Sequence, residues 1–267
     1  MRGERPFWQK LDPSATDIRQ IADPEIDALP KSARAVLADI WQERANSELK
    51  VAGCFCAVAG AVIEHGVHDE VLRLVTRATR DEVRHAEIAA DMASRYADRD
   101  VIWPGPTPYP VPKFEPADPR LRATLLVLAM CCINETLACG ILEGQSSIAT
   151  SPLTKAALQS VLTDEIDHAR AGWAHLASSH VTPEMKAEIG KNWLPRLLAA
   201  RLSELFASEE PFPGEDQPAH GILVRADRKR IIGTGLVDVV LPGFERAGID
   251  ASRARAWTQE TFGPWLS

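Results

Sequence analysis

Two short segments of this 267-residue chain share a pattern that brings a carboxylate and an imidazole together. Residues 81–86 are Asp-Glu-Val-Arg-His-Ala, and residues 164–169 are Asp-Glu-Ile-Asp-His-Ala. Positions three apart on a helix lie on the same face, so Glu82 pairs with His85 and Glu165 pairs with His168. One Glu-x-x-His pair is a weak indication. Two copies with the same flanking Asp and Ala predict a shared metal-binding role.

A lone carboxylate precedes each of these pairs in an apolar stretch that favours helix. Glu48 comes just before residues 51–63, and Glu135 lies within residues 123–142. Six candidate metal ligands on four predicted helices result: Glu48, Glu82, His85, Glu135, Glu165 and His168. Carboxylates and neutral imidazoles suit iron or manganese, and the lack of thiolates among these ligands argues against structural zinc.

The spacing of these residues predicts that they meet at one level of a helical bundle. If the first two helices turn near His65, Glu48 and Glu82 each lie 17 residues from the turn. The second helix pair repeats this arrangement, with 15 residues on each side of a turn near Thr150. At the rise of an α-helix, both separations are about 22–26 Å. Six ionisable groups in an apolar interior require compensating charge, which two metal ions would supply.

The helices that must position these groups predict an all-α fold. Ala, Leu, Glu and Arg dominate the sequence, and aromatic residues make up only 6% of it, which favours helices over sheets. Four long helices are expected at about 32–65, 69–96, 118–144 and 153–178, then a fifth at 182–208 and two short C-terminal helices. Ser32 and Asp118 are the expected N-caps of the first and third helices.

Three regions follow from this assignment. Residues 1–30 contain four prolines and no sustained periodicity, so we predict an extended N-terminal arm. Residues 31–180 form the four-helix bundle, with a long crossover between its second and third helices through the seven prolines of 103–119. A polyproline-like link from Tyr96 to Asp118 could span nearly 70 Å, which is enough to cross the bundle. Residues 181–267 are expected to pack on the bundle or to form a homodimer interface.

The ligand pattern over residues 35–178 resembles the ferritin-like di-iron or di-manganese carboxylate superfamily. That resemblance implies a ferritin-like bundle with two ion sites and some bridging carboxylates. One ion would be held largely by Glu48, Glu82 and His85, and the other by Glu135, Glu165 and His168. In many relatives the Asp before each Glu-x-x-His holds the histidine of the opposite helix, which implies this role for Asp81 and Asp164.

Within this superfamily, the ligand spacing is nearer to that of desaturases and arylamine N-oxygenases than to ferritins or manganese catalases. The chain departs from the N-oxygenases at Val161, where those enzymes typically carry an additional histidine. We therefore predict a non-haem di-iron oxidase or oxygenase that uses O2 and an electron donor to act on a small organic substrate. The alternatives are a ferroxidase or iron-handling protein, a di-manganese catalase-type enzyme, a mixed Mn/Fe centre, and a scaffold with a structural metal.

Net charge, cysteine content and hydropathy indicate which partners and which cellular location to expect. The formal net charge of −7 argues against nucleic acid as a partner. The five cysteines form no Cys-x-x-Cys pair, which is typical of reduced thiols in a cytoplasmic protein. Residues 1–14 lack the apolar centre of a signal peptide. Residues 123–142 are long enough to span a bilayer, but they carry Asn134 and Glu135 near the middle, and no comparable second span is evident, so no membrane segment is predicted.

These residues also have simpler interpretations that involve no metal. The glutamates could form a buried salt-bridge network with Arg84 and Arg170, and Asp81 and Asp164 could be ordinary acids on a helix face. Cys131 and Cys139 lie on the same helix face as Glu135, where core packing is a simpler role than lining a pocket. Small residues of the first and third helices, among them Gly53, Gly60, Gly140 and Gly144, are hypothesised to leave room for a substrate.

Overall fold

The computed structural model describes residues 6–102, 111–115, 117–206 and 213–263. Every regular element within these ranges is a helix, which confirms the predicted all-α class. The middle of the proline-rich crossover, residues 103–110, and the predicted end of the fifth helix near residue 208 lie outside the described residues.

The first two long helices form a hairpin. Helix α1 spans Lys31–His65 and helix α2 spans Asp69–Ala97, and the two pack extensively against each other. Gly66 turns the chain between them at φ 81°, a conformation that costs glycine little because it has no Cβ. The predicted N-cap of α1 is wrong. The Arg34 amide donates to the Pro30 carbonyl at 3.0 Å, so Ser32 already lies inside the first turn.

The second pair of helices begins with the capping residues expected at helix N-termini. Helix α3 spans Pro119–Ile148 and helix α4 spans Pro152–Ala177. The Asp118 carboxylate accepts hydrogen bonds from the first backbone amides of α3, as predicted, and the Ser151 hydroxyl does the same for α4. An unexpected π-helical segment, Leu128–Glu135, interrupts α3 and ends at a candidate ligand.

The candidate ligands lie in one layer between two apolar clusters. The cluster nearer the α1–α2 turn contains Phe55, Val58, Val62, Val71, Val75, Ala78, Val127, Cys131 and Ala171. The cluster at the opposite end includes Leu37, Trp41, Ile88, Met92, Leu142, Leu153 and Leu158. On each of the four long helices, the candidate ligands fall between residues of the two clusters. Packing therefore brings these helices to the common level that the spacing predicted.

At Gly172, α4 approaches α3 too closely for any residue larger than glycine. A Cβ at Gly172 would lie 2.6 Å from the Cβ of Cys131 and 2.8 Å from the backbone nitrogen of Cys132. Both cysteines are fully buried, which is consistent with core packing. Because Gly172 lies one turn beyond His168, this contact also sets how closely α4 approaches the π segment that carries Glu135.

The N-terminal residues differ from the extended arm that their composition predicted. Residues 7–10 and 18–20 form 3₁₀ turns, and residues 24–27 form a single α-helical turn. Phe7, Trp8, Ile18 and Ile26 are buried in the cluster at the far end of the bundle. Prolines prevent a long helix here, but burial of the interspersed apolar side chains stabilises short turns against α2 and α4.

The C-terminal helices pack on α3 rather than extending away from it. Helix α5 comprises Pro183–Glu188, a π segment at Ile189–Trp193 and Leu194–Phe206. Helix α6 comprises Arg225–Gly235, a π segment at Leu236–Val240 and Leu241–Arg246, and α7 is Ser252–Phe262. These helices share one buried cluster with Ile133 and Leu137 of α3. The predicted homodimer interface stays a prediction.

Two helices are long and apolar enough to cross a membrane by length and composition, namely Lys31–His65 and Pro119–Ile148. The first corrects our expectation that only one such stretch exists. Within the most apolar window of each helix, 33% of the first and 50% of the second is buried in the protein. Core helices of other proteins meet the same criteria, so the absence of a membrane segment stays a prediction.

The contact at Gly172 predicts a stability effect. Gly172→Ala is expected to lower the free energy of unfolding of the metal-free protein by about 1–3 kcal/mol, because the backbone of Cys132 cannot move away from the added methyl group. Urea denaturation measures this. Gly53→Ala is the matched control, since no atom lies within 4 Å of an added Cβ there. Equal effects of the two substitutions would contradict the proposed close packing.

The buried imidazole of His175 predicts a pH dependence of stability. Burial, with repulsion from His180 and Arg120, lowers the pKa of His175 to about 4 from an ordinary 6.5. The unfolded chain binds the proton first, so stability is complete above pH 6.5 and is lost as the pH falls toward 4. Between pH 7 and 5, the wild type should lose about 2 kcal/mol more than His175→Gln in urea denaturation. Identical losses would show that His175 titrates normally.

Candidate metal centre

The structure brings the six predicted ligands into two overlapping groups. Within each group, one ligand atom from every residue lies within 4.8 Å of the ligand atoms of the others. The first group is Glu48, Glu82, His85 and Glu165, and the second is Glu82, Glu135, Glu165 and His168. Each group of buried carboxylates and imidazoles could hold a metal ion.

Glu82 and Glu165 belong to both groups, whereas Glu48 and Glu135 each belong to one. A carboxylate has two oxygens and can contact two neighbouring cations at once. The resemblance implied some bridging carboxylates without saying which residues supply them. The shared membership favours the two glutamates of the Glu-x-x-His pairs for that role, whereas Glu48 and Glu135 would each serve one group.

The two imidazoles turn the same ring nitrogen toward these carboxylates. Nδ1 of His168 lies 2.9 Å from Glu165 and 3.1 Å from Glu82. Nδ1 of His85 lies 3.4 Å from Glu82 and 3.3 Å from Glu165. Both Nδ1 atoms therefore point into the centre, where neutral imidazoles could each donate a lone pair to a cation.

The other ring nitrogen of each histidine contacts an aspartate of the opposite helix. Nε2 of His85 lies 3.2 Å from Asp164, and Nε2 of His168 lies 3.4 Å from Asp81. A carboxylate in this position accepts the Nε2 proton and leaves Nδ1 free for a metal. The arrangement is the one that the resemblance implied, while the role of the two aspartates in metal binding stays a prediction.

Two arginines form ion pairs with the aspartates that contact the histidines, and not with the glutamates of the centre. Arg77 donates to Asp81 at 3.0 Å, and Arg84 pairs with Asp164. Arg170 pairs with Asp167 on the surface. The salt-bridge network of ligand glutamates with Arg84 and Arg170 therefore does not form. The exception, which sequence reasoning missed, is Arg44, whose Nε lies 3.2 Å from Glu48 one helical turn away.

Buried atoms without hydrogen bonds show that the centre fits a cation. Both carboxylate oxygens of Glu82 and Nδ1 of His85 are buried and have no hydrogen-bond partner. Glu82 and His85 are completely inaccessible, and Phe55 packs its ring 5.2 Å from that of His168. Leaving such groups unsatisfied is costly, and a metal ion would supply the missing interaction for all three atoms.

Burial and neighbouring charges shift the pKa values of several groups in the centre. Burial raises the pKa of Glu48 to about 7, although Arg44 opposes this shift. Burial and repulsion from Glu165 and Glu82 raise the pKa of Glu135 well above its ordinary value. Burial alone would lower the pKa of His168, but hydrogen bonds to neighbouring carboxylates outweigh it and raise the pKa to about 12. Protons therefore compete with a cation for these ligands, so metal affinity should rise with pH.

A cavity of about 610 Å³ lies beside the centre, between α1, α3 and α5. Ser47 and Asn134 line it and are the chain neighbours of Glu48 and Glu135. None of the four proposed glycines is among its described lining residues, although small residues of the same two helices, Ser47, Cys54 and Ala129, do line it. Gly144 instead faces Ile231 of α6, which an added Cβ would approach to 2.6 Å. Sequence periodicity offered no signal that α5 closes this cavity.

Asp164 and Asp81 predict a measurable effect on metal affinity. Asp164→Asn should weaken Mn(II) binding by about 10- to 100-fold, because a neutral amide holds the Nε2 proton of His85 less strongly than a carboxylate does. Competition with a chromophoric chelator under anaerobic conditions gives this affinity. The matched control is Asp167→Asn on the same helix, whose carboxylate pairs with Arg77 and Arg170. If the control weakens binding as much as the test, the aspartate acts through general charge and not through the histidine.

Comparisons of the chain with protein-family models, with curated proteins and with solved structures find no match. The superfamily resemblance therefore rests on the ligand pattern and on the geometry of the centre.

Proposed function

We propose that this protein is a non-haem di-iron oxidase or oxygenase that uses O2 to act on a small organic molecule. The observation that carries the proposal is the pair of buried ligand groups joined by Glu82 and Glu165. Shared carboxylates would keep two metal ions close enough to act on one oxygen molecule. Two iron ions bound here would supply redox chemistry and open positions for O2.

The chain's own residues would hold and shield such a centre. Asp81 and Asp164 would orient the two imidazoles, and Glu48 and Glu135 would each complete one of the two ligand groups. Buried Phe55 and Cys131 exclude water from the side nearer the α1–α2 turn. A dry site strengthens electrostatic interactions and limits side reactions of reactive species.

The cavity beside Glu48 and Glu135 supports an organic substrate over iron storage. Its volume lies within the range typical of small-molecule sites. Many of its described lining residues are apolar, among them Val51, Val58, Leu126 and Leu197. A site that only oxidised or passed on iron ions would need a polar path instead. The electron donor and the cytoplasmic location belong to the same proposal.

Metal content and oxygen consumption test this function together. Anaerobically prepared protein should contain roughly two irons per chain, and Glu135→Ala combined with His168→Ala should lose them. The matched control is Glu143→Ala with His68→Ala, which removes the same residue types from exposed positions. Oxygen uptake should then require both a reductant and an organic substrate.

Other outcomes have equally definite meanings. Two manganese ions with peroxide disproportionation would replace the proposal with a catalase-type function. Repeated oxidation of added Fe(II) without an organic substrate would indicate a ferroxidase. A protein that binds no metal after anaerobic reconstitution with iron would overturn the metal centre itself.

A further inference from the structure

The wall of the cavity beside the metal centre carries cationic side chains. Three cationic residues line it, namely Lys50 on α1 and Arg196 and Arg201 on α5. No carboxylate is among the lining residues in the described part of the chain. Lys50 pairs only loosely with Glu43, whose carboxylate oxygen lies 4.0 Å from Nζ and whose side chain is 71% exposed. Such an exposed pair is weak, so Lys50 keeps most of its attraction for an anion in the cavity.

The remaining wall is apolar and is held in a defined shape. Phe114 lines the cavity at φ 49°, a left-handed conformation that bulky side chains rarely adopt. Its ring meets the Trp193 ring edge-on at 6.1 Å, and the Arg196 guanidinium lies 5.6 Å from the centre of the same indole. Strain of this kind persists only where the surroundings impose it, and it is frequent at ligand sites.

The inner end of the cavity reaches the metal centre through one side chain. Asn134 lines the cavity, is only 8% exposed, and donates from Nδ2 to Oε1 of Glu135 at 3.1 Å. Cys54 lines the same wall on α1, and Glu135 and Glu82 are close enough to raise the pKa of its thiol, after the larger effect of burial. A molecule in this cavity would therefore lie next to the proposed oxygen-activating site.

We propose that the substrate is an organic anion with an apolar body, bound in this cavity with its charge near Lys50 and Arg196. That the bound molecule is a substrate rests on the proposed function, but its binding in the cavity requires no metal. An acidic group would gain attraction from these two cations, while an aliphatic or aromatic body would contact Val51, Leu126 and Trp193. A neutral molecule would gain only the second contribution, and a cation would be repelled.

Three probes of equal chain length separate these contributions: octanoate, 1-octanol and octylamine. Isothermal titration calorimetry on the metal-free full chain should show octanoate binding at least about tenfold more tightly than octanol, with octylamine weakest. Equal affinity for octanoate and octanol, or tighter binding of octylamine, would overturn the assigned ligand class.

Variants identify the residues responsible. Lys50→Gln with Arg196→Gln should weaken octanoate binding about tenfold and leave octanol within about twofold, because it removes charge from the cavity and not volume. Lys155→Gln with Arg170→Gln makes the same change in net charge at exposed positions of α4 outside the cavity and should change neither affinity. If the two double variants behave alike, the preference for anions comes from general charge and the assignment fails.

A blocking variant keeps the test independent of charge. Ala200 is exposed at the cavity wall, so Ala200→Trp should fill the opening without disturbing the core, and should weaken octanoate and octanol alike. Unchanged binding of both probes would place them elsewhere on the protein and overturn the proposal.

The proposed function and the anion site can fail separately. Iron uptake without a preference for octanoate would contradict the assigned ligand class and leave the metal centre supported. Octanoate binding without iron uptake would contradict the proposed function and leave the anion site supported.

Discussion

Four carboxylates and two imidazoles share one buried layer, and the rest of the structure depends on how that layer is compensated. Two of the carboxylates, Glu82 and Glu165, contact both histidines and belong to both ligand groups. Burial raises the pKa values of Glu48 and Glu135, and repulsion from the neighbouring carboxylates raises them further. Protons and imidazolium ions relieve this repulsion only in part, since both oxygens of Glu82 still lack a hydrogen bond.

The packing of the helices holds the layer in place. Apolar clusters above and below it fix the heights of α1, α2, α3 and α4, so the ligand side chains cannot separate to reduce their repulsion. Gly172 permits the close approach of α4 to the π segment that ends at Glu135. The aspartate–arginine pairs around the two histidines fix the ring orientations from outside. A rigid, preorganised ligand set of this kind loses little freedom when a metal binds.

The residues beyond the four-helix bundle contribute to the same region rather than forming a separate unit. The N-terminal turns cover the far end of the bundle through Trp8, whose indole donates to Asp91 at 2.9 Å. Tyr96 and His220 contact at 2.8 Å in a buried polar network that joins α2 to the segment before α6. Helix α5 closes the cavity against α1 and α3 and brings two of its three cations. The four long helices thus carry the candidate metal ligands, and the C-terminal helices line the cavity beside them.

Several features of this protein were determined by the sequence alone. Helical periodicity decides which side chains share a face, and equal distances from a turn decide which residues share a level, so the six candidate ligands were identifiable from spacing. The two outer aspartates were implied by the family resemblance. The N-cap at Asp118 followed in the same way. These predictions depend on local geometry, which repeats regularly along any α-helix.

Only the tertiary structure decided the features that depend on contacts between distant segments. It identified Glu82 and Glu165 as the glutamates common to both groups, because sharing depends on distances between α2 and α4. It packed residues 7–27 into short buried turns, since burial against a core can outweigh a composition that favours an extended chain. It placed α5 and the crossover around a cationic cavity, and periodicity contains no information about which exposed helix covers which opening. Local sequence therefore determined which residues are candidate ligands, and long-range packing determined how they are grouped and what surrounds them.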